Sequence, residues 1–130
     1  MDYEIRFPGG DRVDAVGEAG VIRTDQGDSA PAPFDLFLAS IGTCVGAYVL
    51  RFCRQRGLDT KDIRIIQRVH EDPSSGLIDK IELRIDLPED FPEAYREPVA
   101  RAARLCRVKK HLQRPPAIEV ITSDKRSAVA

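Results

Sequence analysis

The sequence lacks most of the features that would point directly to a common function. It contains no Trp, only one Met and two His, and its 20 basic residues are balanced by 21 acidic ones. It has no block of basic charge, no heptad repeat and no RNA-binding aromatic signature, so nucleic acid is not an expected partner. A Gly-rich phosphate loop, a GxSxG elbow, an HExxH motif and a CxxC pair are also absent. What remains for chemistry is thiols and arginines.

The first residues and the cysteine count lead us to expect a reducing compartment. The first residues, MDYEIRFPGG, do not have the basic and then apolar pattern of a signal peptide. Three widely spaced cysteines, an odd number, are not a disulfide framework. We therefore expect a cytoplasmic protein with reduced thiols. With 42% hydrophobic residues, the 130-residue chain can bury a core as a single domain over residues 1–130.

The most apolar stretch, PFDLFLASIGTCVGAYVLRFCRQRG, runs from Pro33 to Gly57. Proline suits the first turn of a helix and glycine its left-handed end, so this stretch predicts one long helix. Apolar residues surround most of its circumference, which is typical of a buried central helix. Only about 15 uncharged residues separate Asp35 from Arg51, short of the roughly 20 that a membrane span needs, so we do not expect a membrane protein.

Two glycines, Gly42 and Gly46, flank Cys44 in this helix. Each costs about 1 kcal/mol of helix stability relative to Ala. The cost suggests that another backbone approaches the helix closely here.

The remaining segments predict an α+β fold. Short alternating pieces before residue 25, with Val21 and Arg23 in the third, predict an antiparallel meander. Residues 63–70 and 77–87 predict a β-hairpin with alternating apolar side chains. Helical spacing over residues 92–106 predicts a second helix that ends near Cys106. We expect a turn or short helix over residues 107–114, a short final strand over residues 117–122 and a loose tail after that.

The three cysteines, taken alone, leave their roles open. Cys44 fits either a core position or a reactive thiol, and Cys53 fits a structural position. Cys106 precedes several cations, which would stabilise its thiolate and lower its pKa. Residue types alone do not decide which thiol reacts.

Two motifs give the chain a resemblance to a known family. Residues 33–44, PFDLFLASIGTC, and residues 102–112, AARLCRVKKHL, resemble the first and second cysteine motifs of the OsmC/Ohr family of peroxide-reducing proteins. The sequence is most similar to the YhfA-like branch of that family. The resemblance implies a swapped homodimer in which two central helices lie back to back inside wrapped sheets.

The resemblance also implies a chemistry. Cys44 would attack an organic hydroperoxide and become a sulfenic acid, Cys106 would capture it as a disulfide, and an external dithiol would reduce both. Phe34 and Phe37 would line an apolar substrate pocket. This chemistry would serve in oxidative or osmotic stress defence, and we expect it to use neither a cofactor nor a metal.

In the family, an arginine held by a glutamate activates the first cysteine. Arg23 is our choice for this cation, with Arg6 and Arg12 as alternatives. Phe34 occupies the position of the glutamate, so Asp35 either reaches Arg23 or serves only as a negative charge at the helix N-terminus. Arg107 stands where the family usually has proline and could supply a second cation.

Two functions from other classes are alternatives. Cys44, Cys106 and His111 could offer soft ligands to zinc, although no fourth ligand is evident. The same fold could instead bind a small acyl or thiol metabolite, with Cys44 only lining the pocket.

Overall fold

Antiparallel strands and three α-helices make up the chain, in agreement with the predicted α+β class. The computed structural model describes residues 1–123, and the rest of the predicted tail lies outside that range. The elements are β1 (Glu4–Gly9), β2 (Arg12–Gly17), β3 (Gly20–Asp25), α1 (Pro33–Gln55), β4 (Arg64–Glu71), β5 (Ile78–Asp86), a 3-10 turn (Glu93–Tyr95), α2 (Arg96–Ala103) and α3 (Arg107–Gln113).

The N-terminal meander is confirmed, with strand order β1-β2-β3. Gly17 pairs with Gly20, and the register places Ala15 opposite Ile22. The apolar face of β3 therefore carries Ile22, while the sequence assigned Val21 and Arg23 to it. The difference arises because a two-residue turn fixes the register, and a shift of one residue moves every side chain to the other face.

Helix α1 has nearly the predicted bounds. Pro33 is its first residue, and the Asp35 side chain accepts a hydrogen bond from the Ala32 N–H at 3.2 Å. At the other end Gly57 has a φ of 65°, and the Leu58 N–H donates to the Cys53 carbonyl at 2.8 Å. A glycine adopts this left-handed conformation without steric cost, so the helix stops here.

Only one stripe of α1 is buried within the single chain. The stripe packs into the core with α2 and the β-hairpin, and it consists of Ile41, Val45, Val49, Phe52 and Cys53. The prediction of a helix buried all round is wrong for one chain, because one hairpin and two short helices cover only one side of it. By its length and apolar composition α1 could also cross a bilayer, a test that core helices of soluble proteins pass as well.

The hairpin β4-β5 is confirmed, and it contacts α1 at the two glycines. The Gln67 side chain donates from Nε2 to the Leu38 carbonyl at 2.9 Å, and a Cβ added at Gly42 would lie 2.5 Å from Gln67 Oε1. A Cβ at Gly46 would meet Ile65 Cδ1 at 3.9 Å, an ordinary contact. The prediction of a close backbone was wrong: side chains of β4 approach the helix.

The C-terminal part differs from the prediction in two ways. Helix α2 ends at Ala103, and Cys106 is instead the N-cap residue of α3, which confirms a short helix there. Residues 117–122 do not form the predicted strand, because they pair with no strand edge of the described chain. Their apolar side chains are almost fully exposed, at 85% for Ile118, 93% for Val120 and 84% for Ile121.

The hydrophobic core of the described residues does not include the N-terminal sheet. Among residues 1–123, none of the buried cluster and none of the apolar residues packed on it comes from β1, β2 or β3. The apolar face of the sheet borders a cavity of about 410 Å³ together with Pro33 and Leu36 of α1. The sheet therefore touches the rest of the chain mainly at the start of the central helix.

Candidate functional site

Cys44 and Cys106 are neighbours at the contact between α1 and α3. Cys44 lies in the middle of α1 and is half-buried, whereas Cys106 is fully buried. As the N-cap of α3, Cys106 accepts a hydrogen bond at Sγ from the Lys109 N–H at 3.4 Å. The fold thus brings together two thiols that lie 62 positions apart in the sequence.

The surroundings of Cys44 favour its thiolate. Burial acts to raise the pKa of Cys44, but polar contacts outweigh it and the net pKa is lowered. These contacts come from the Val108 N–H, the Cys106 thiol, and the N–H and positive charge of Arg107. Donors and cations stabilise the charged form of a thiol, so Cys44 is the more acidic member of the pair.

The surroundings of Cys106 favour its protonated form. Burial raises the pKa of Cys106, the Lys109 N–H lowers it, and the neighbouring Cys44 raises it. The expectation that nearby cations lower this pKa is wrong, because burial, the largest contribution, outweighs the backbone N–H groups of Lys109 and Val108 that lower it. At a pH between the two pKa values, Cys44 is therefore a thiolate while Cys106 is still protonated.

The predicted arginine stands apart from the thiols. Arg23 is exposed on β3 and lies opposite Asp14 of β2, and no contact joins it to Cys44 or Cys106 within residues 1–123. Both alternative arginines of this sheet are held by carboxylates: Arg12 Nη2 lies 2.7 Å from Asp14 Oδ2, and Arg6 Nε lies 3.1 Å from Glu4 Oε1. Asp14 is only 7% exposed. The role of Arg23 stays a prediction.

The other predicted residues lie at the first turns of α1. Asp35 caps the helix through the Ala32 N–H, which matches the second of its two open interpretations. The rings of Phe34 and Phe37 stack with centroids 5.5 Å apart and are 55% and 38% exposed. Phe37 precedes Cys44 by seven residues, so both share one helix face about 10 Å apart along the axis.

The described part of the chain does not bring together a ligand set for zinc. Within the described residues, no three His, Cys, Asp or Glu side chains are grouped to hold a metal ion. His111 Nδ1 lies 2.8 Å from the Arg107 carbonyl, which its N–H can reach as a donor. The histidine is thus engaged within its own helix.

Sequence reasoning missed the donors that act on Cys44. The N–H groups of Arg107 and Val108 belong to the backbone, so they cannot be recognised from the residue types in the sequence. The one available signal was the position of Cys106 directly before a short helical segment, since the first N–H groups of a helix have no partner inside it. Gln67 was missed as well, because its pairing with Leu38 spans 29 residues.

Comparison with known proteins gives this site a family context. The family model described as OsmC-like protein matches residues 26–121, which include both thiols. The chain belongs to the OsmC-like family. Whether it lies in the YhfA-like branch stays a prediction, and no curated protein sequence matches the chain.

Solved structures of OsmC-like proteins share the fold. A Psychrobacter arcticus protein superposes with a TM-score of 0.68 at 16% identity, covering 85% of this chain and 86% of that one. An OsmC-like protein from Mycoplasma pneumoniae gives 0.64 at 14% identity, covering 87% and 88%. An OsmC-like hydroperoxide resistance protein from Jannaschia sp. CCS1 gives 0.53 at 21% identity, covering 87% and 82%. At these identities the likeness establishes the fold alone.

Proposed function

We propose that the protein is a thiol peroxidase that reduces organic hydroperoxides through Cys44 and Cys106. The observation that carries the proposal is the asymmetry of the pair. The half-buried Cys44 has a lowered pKa and can attack as a thiolate, while the buried Cys106 beside it has a raised pKa and stays a thiol. This asymmetry fits a nucleophile that lies beside a resolving thiol.

The reaction proceeds in three balanced steps. The Cys44 thiolate attacks one oxygen of the peroxide, an S–O bond forms, the O–O bond breaks, and the alkoxide leaves as an alcohol after taking a proton. Cys106 then loses its proton and attacks the Cys44 sulfenic acid, releasing water and forming a disulfide. An external dithiol reduces this disulfide by exchange and is itself oxidised to a disulfide.

Family context supports this chemistry at a general level. The Jannaschia relative is described as a hydroperoxide resistance protein, which suits a role in peroxide stress for the OsmC-like fold. For the substrate, the exposed ring pair Phe34 and Phe37 offers an apolar surface on the Cys44 face of α1. We therefore propose hydroperoxides with an apolar organic group.

We further propose that the active form is a homodimer. Three apolar surfaces of the single chain support this: the exposed side of α1, the sheet face over the cavity beside Pro33, and the unpaired residues 117–122. A second copy can cover all three when the helices pack against each other and strands are exchanged. In such a dimer Arg23 of one subunit is our candidate for a cation acting on Cys44 of the other.

The decisive experiment is mass spectrometry of the reduced protein after one equivalent of cumene hydroperoxide. We expect a Cys44–Cys106 disulfide in the wild type, a Cys44 sulfenic acid trapped by dimedone in Cys106→Ser, and no thiol oxidation in Cys44→Ser. Cys53→Ser is the matched control and should form the same disulfide as the wild type. If Cys44 stays reduced in excess peroxide, the proposed function is wrong.

A further inference from the structure

A second cavity lies between α1, β5, α2 and α3. Its volume is about 360 Å³, and none of its lining residues is a cysteine. Ile41 and Val45 of α1 form one wall, and Ile81, Leu83 and Ile85 of β5 form the opposite one. These five side chains carry no polar atoms, so the interior suits a hydrocarbon group.

The mouth of this cavity is positively charged. Arg104 and Lys109 are the two charged residues that line it, and both are exposed. Arg104 Nη1 lies 3.2 Å from Glu97 Oε1, whereas no acidic side chain of residues 1–123 lies within ion-pair distance of Lys109. An apolar interior with a cation at its edge is complementary to a molecule with an apolar tail and an anionic head.

We propose that this cavity binds a medium-chain fatty acid, with the chain between α1 and β5 and the carboxylate at Lys109. The volume is near the lower end of the roughly 300–1,000 Å³ typical of small-molecule sites, which favours one short chain over a two-chain lipid. A carboxylate fits the rim because the lysine ammonium donates charge-assisted hydrogen bonds to it. The proposal does not depend on peroxide chemistry, since no thiol lines the cavity.

The test is calorimetric titration of the reduced full-length protein with octanoate, nonanoate and decanoate at neutral pH, below their micelle concentrations. Each added methylene should lower the Kd about fourfold until the cavity is full, because burying a methylene is favourable by about 0.8 kcal/mol. Decanol, which has the same chain without the charge, should bind more weakly than decanoate. Equal affinity across the acids, or no binding at millimolar concentration, overturns the proposal.

Charge variants identify the site. Lys109→Gln should weaken decanoate binding about two- to fivefold, the range of an exposed ion pair, and should leave decanol binding unchanged. Lys110→Gln is the matched control, since it removes the same charge from the adjacent residue of α3, which does not line the cavity. If the two variants weaken decanoate equally, the acid binds elsewhere or only through net charge, and the proposal is wrong.

A cavity-filling variant and a thiol variant complete the design. Ala100→Leu places a larger side chain at the cavity wall and should abolish decanoate binding, with circular dichroism to verify the fold. Cys44→Ser should bind decanoate as the wild type does, even though it lacks peroxide turnover. If the wild-type protein turns over peroxide but does not bind decanoate, only the cavity proposal is wrong. If the wild-type protein binds decanoate but does not turn over peroxide, only the proposed function is wrong.

Discussion

The Cys44 and Cys106 thiols have opposite pKa shifts, although both lie beside the same short stretch of chain, residues 106–109. Backbone N–H groups and the Arg107 charge lower the pKa of Cys44, and burial raises the pKa of Cys106. Since only a thiolate attacks peroxides or alkylating agents, the pH dependence of each thiol reports its own environment. The proposed division of roles can therefore be measured directly, from the pH dependence of the reactivity of each thiol.

Replacing Arg107 should raise the pKa of Cys44. The cation favours the thiolate, so in Arg107→Gln a higher pH is needed to ionise Cys44, and its reactivity at pH 7 falls. The measurement is the rate of iodoacetamide alkylation of Cys44 between pH 5 and pH 10, followed by peptide mass spectrometry. In the wild type, the rate should be lost as the pH falls through a pKa below the usual range of a free cysteine.

The control for this experiment is Lys110→Gln, which removes one positive charge from α3 at a residue that does not act on Cys44. Its pH profile should match the wild type. An unchanged profile in Arg107→Gln would mean that the backbone N–H groups alone stabilise the thiolate.

At the scale of the elements, the two glycines of α1 make different contacts with the hairpin. Gly46 has room for a methyl group, with Ile65 Cδ1 3.9 Å from an added Cβ. Gly42 has none unless Gln67 moves and gives up its 2.9 Å hydrogen bond to the Leu38 carbonyl. Although both positions hold glycine, replacement by alanine is therefore expected to change stability differently at Gly42 and at Gly46.

Gly46→Ala should raise the free energy of unfolding by about 0.5–1 kcal/mol, because Ala removes the entropic cost of glycine in a helix. Gly42→Ala should fall short of that gain by about 1 kcal/mol, the net contribution of one hydrogen bond. Urea denaturation monitored by circular dichroism measures both. Equal gains in the two variants would show that Gln67 does not restrict position 42.

Sequence patterns predicted most elements because each pattern is local. The bounds of α1 followed from Pro33 and Gly57, and the hairpin followed from alternating β-branched residues. The register of β3 was missed because it depends on a turn rather than on the strand itself. The pair of thiols could be proposed only through a family resemblance, since nothing local places Cys106 beside Cys44.

At the scale of the whole molecule, the exposed apolar surfaces predict association. Within one chain α1 leaves Ala47 and Leu50 exposed on the side opposite its buried stripe, and residues 117–122 are unpaired. One chain has too few elements to cover these surfaces. Exposed apolar surfaces of this extent are expected to be buried against a partner.

Light scattering after size-exclusion chromatography should give twice the 14.5 kDa mass of one chain. Ala47→Arg should shift the mass toward one chain, because a long charged side chain prevents close packing of two central helices. The control Ala94→Arg makes the same change at an exposed position of the 3-10 turn, away from α1, and should leave the mass unchanged. A wild-type mass of one chain would rule out the dimer.

The complete burial of Cys53 makes the labelling of its thiol a measure of core opening. A bulky chromogenic disulfide reagent can reach Cys44 in the native state, and Cys106 would then displace it from Cys44 by exchange, but it can reach Cys53 only when the surrounding core opens. When closing is faster than labelling, the rate of this slow colour change measures the equilibrium for opening. Measuring this opening equilibrium at several temperatures, with and without ligand, would therefore describe the cooperative opening of the core without any introduced probe.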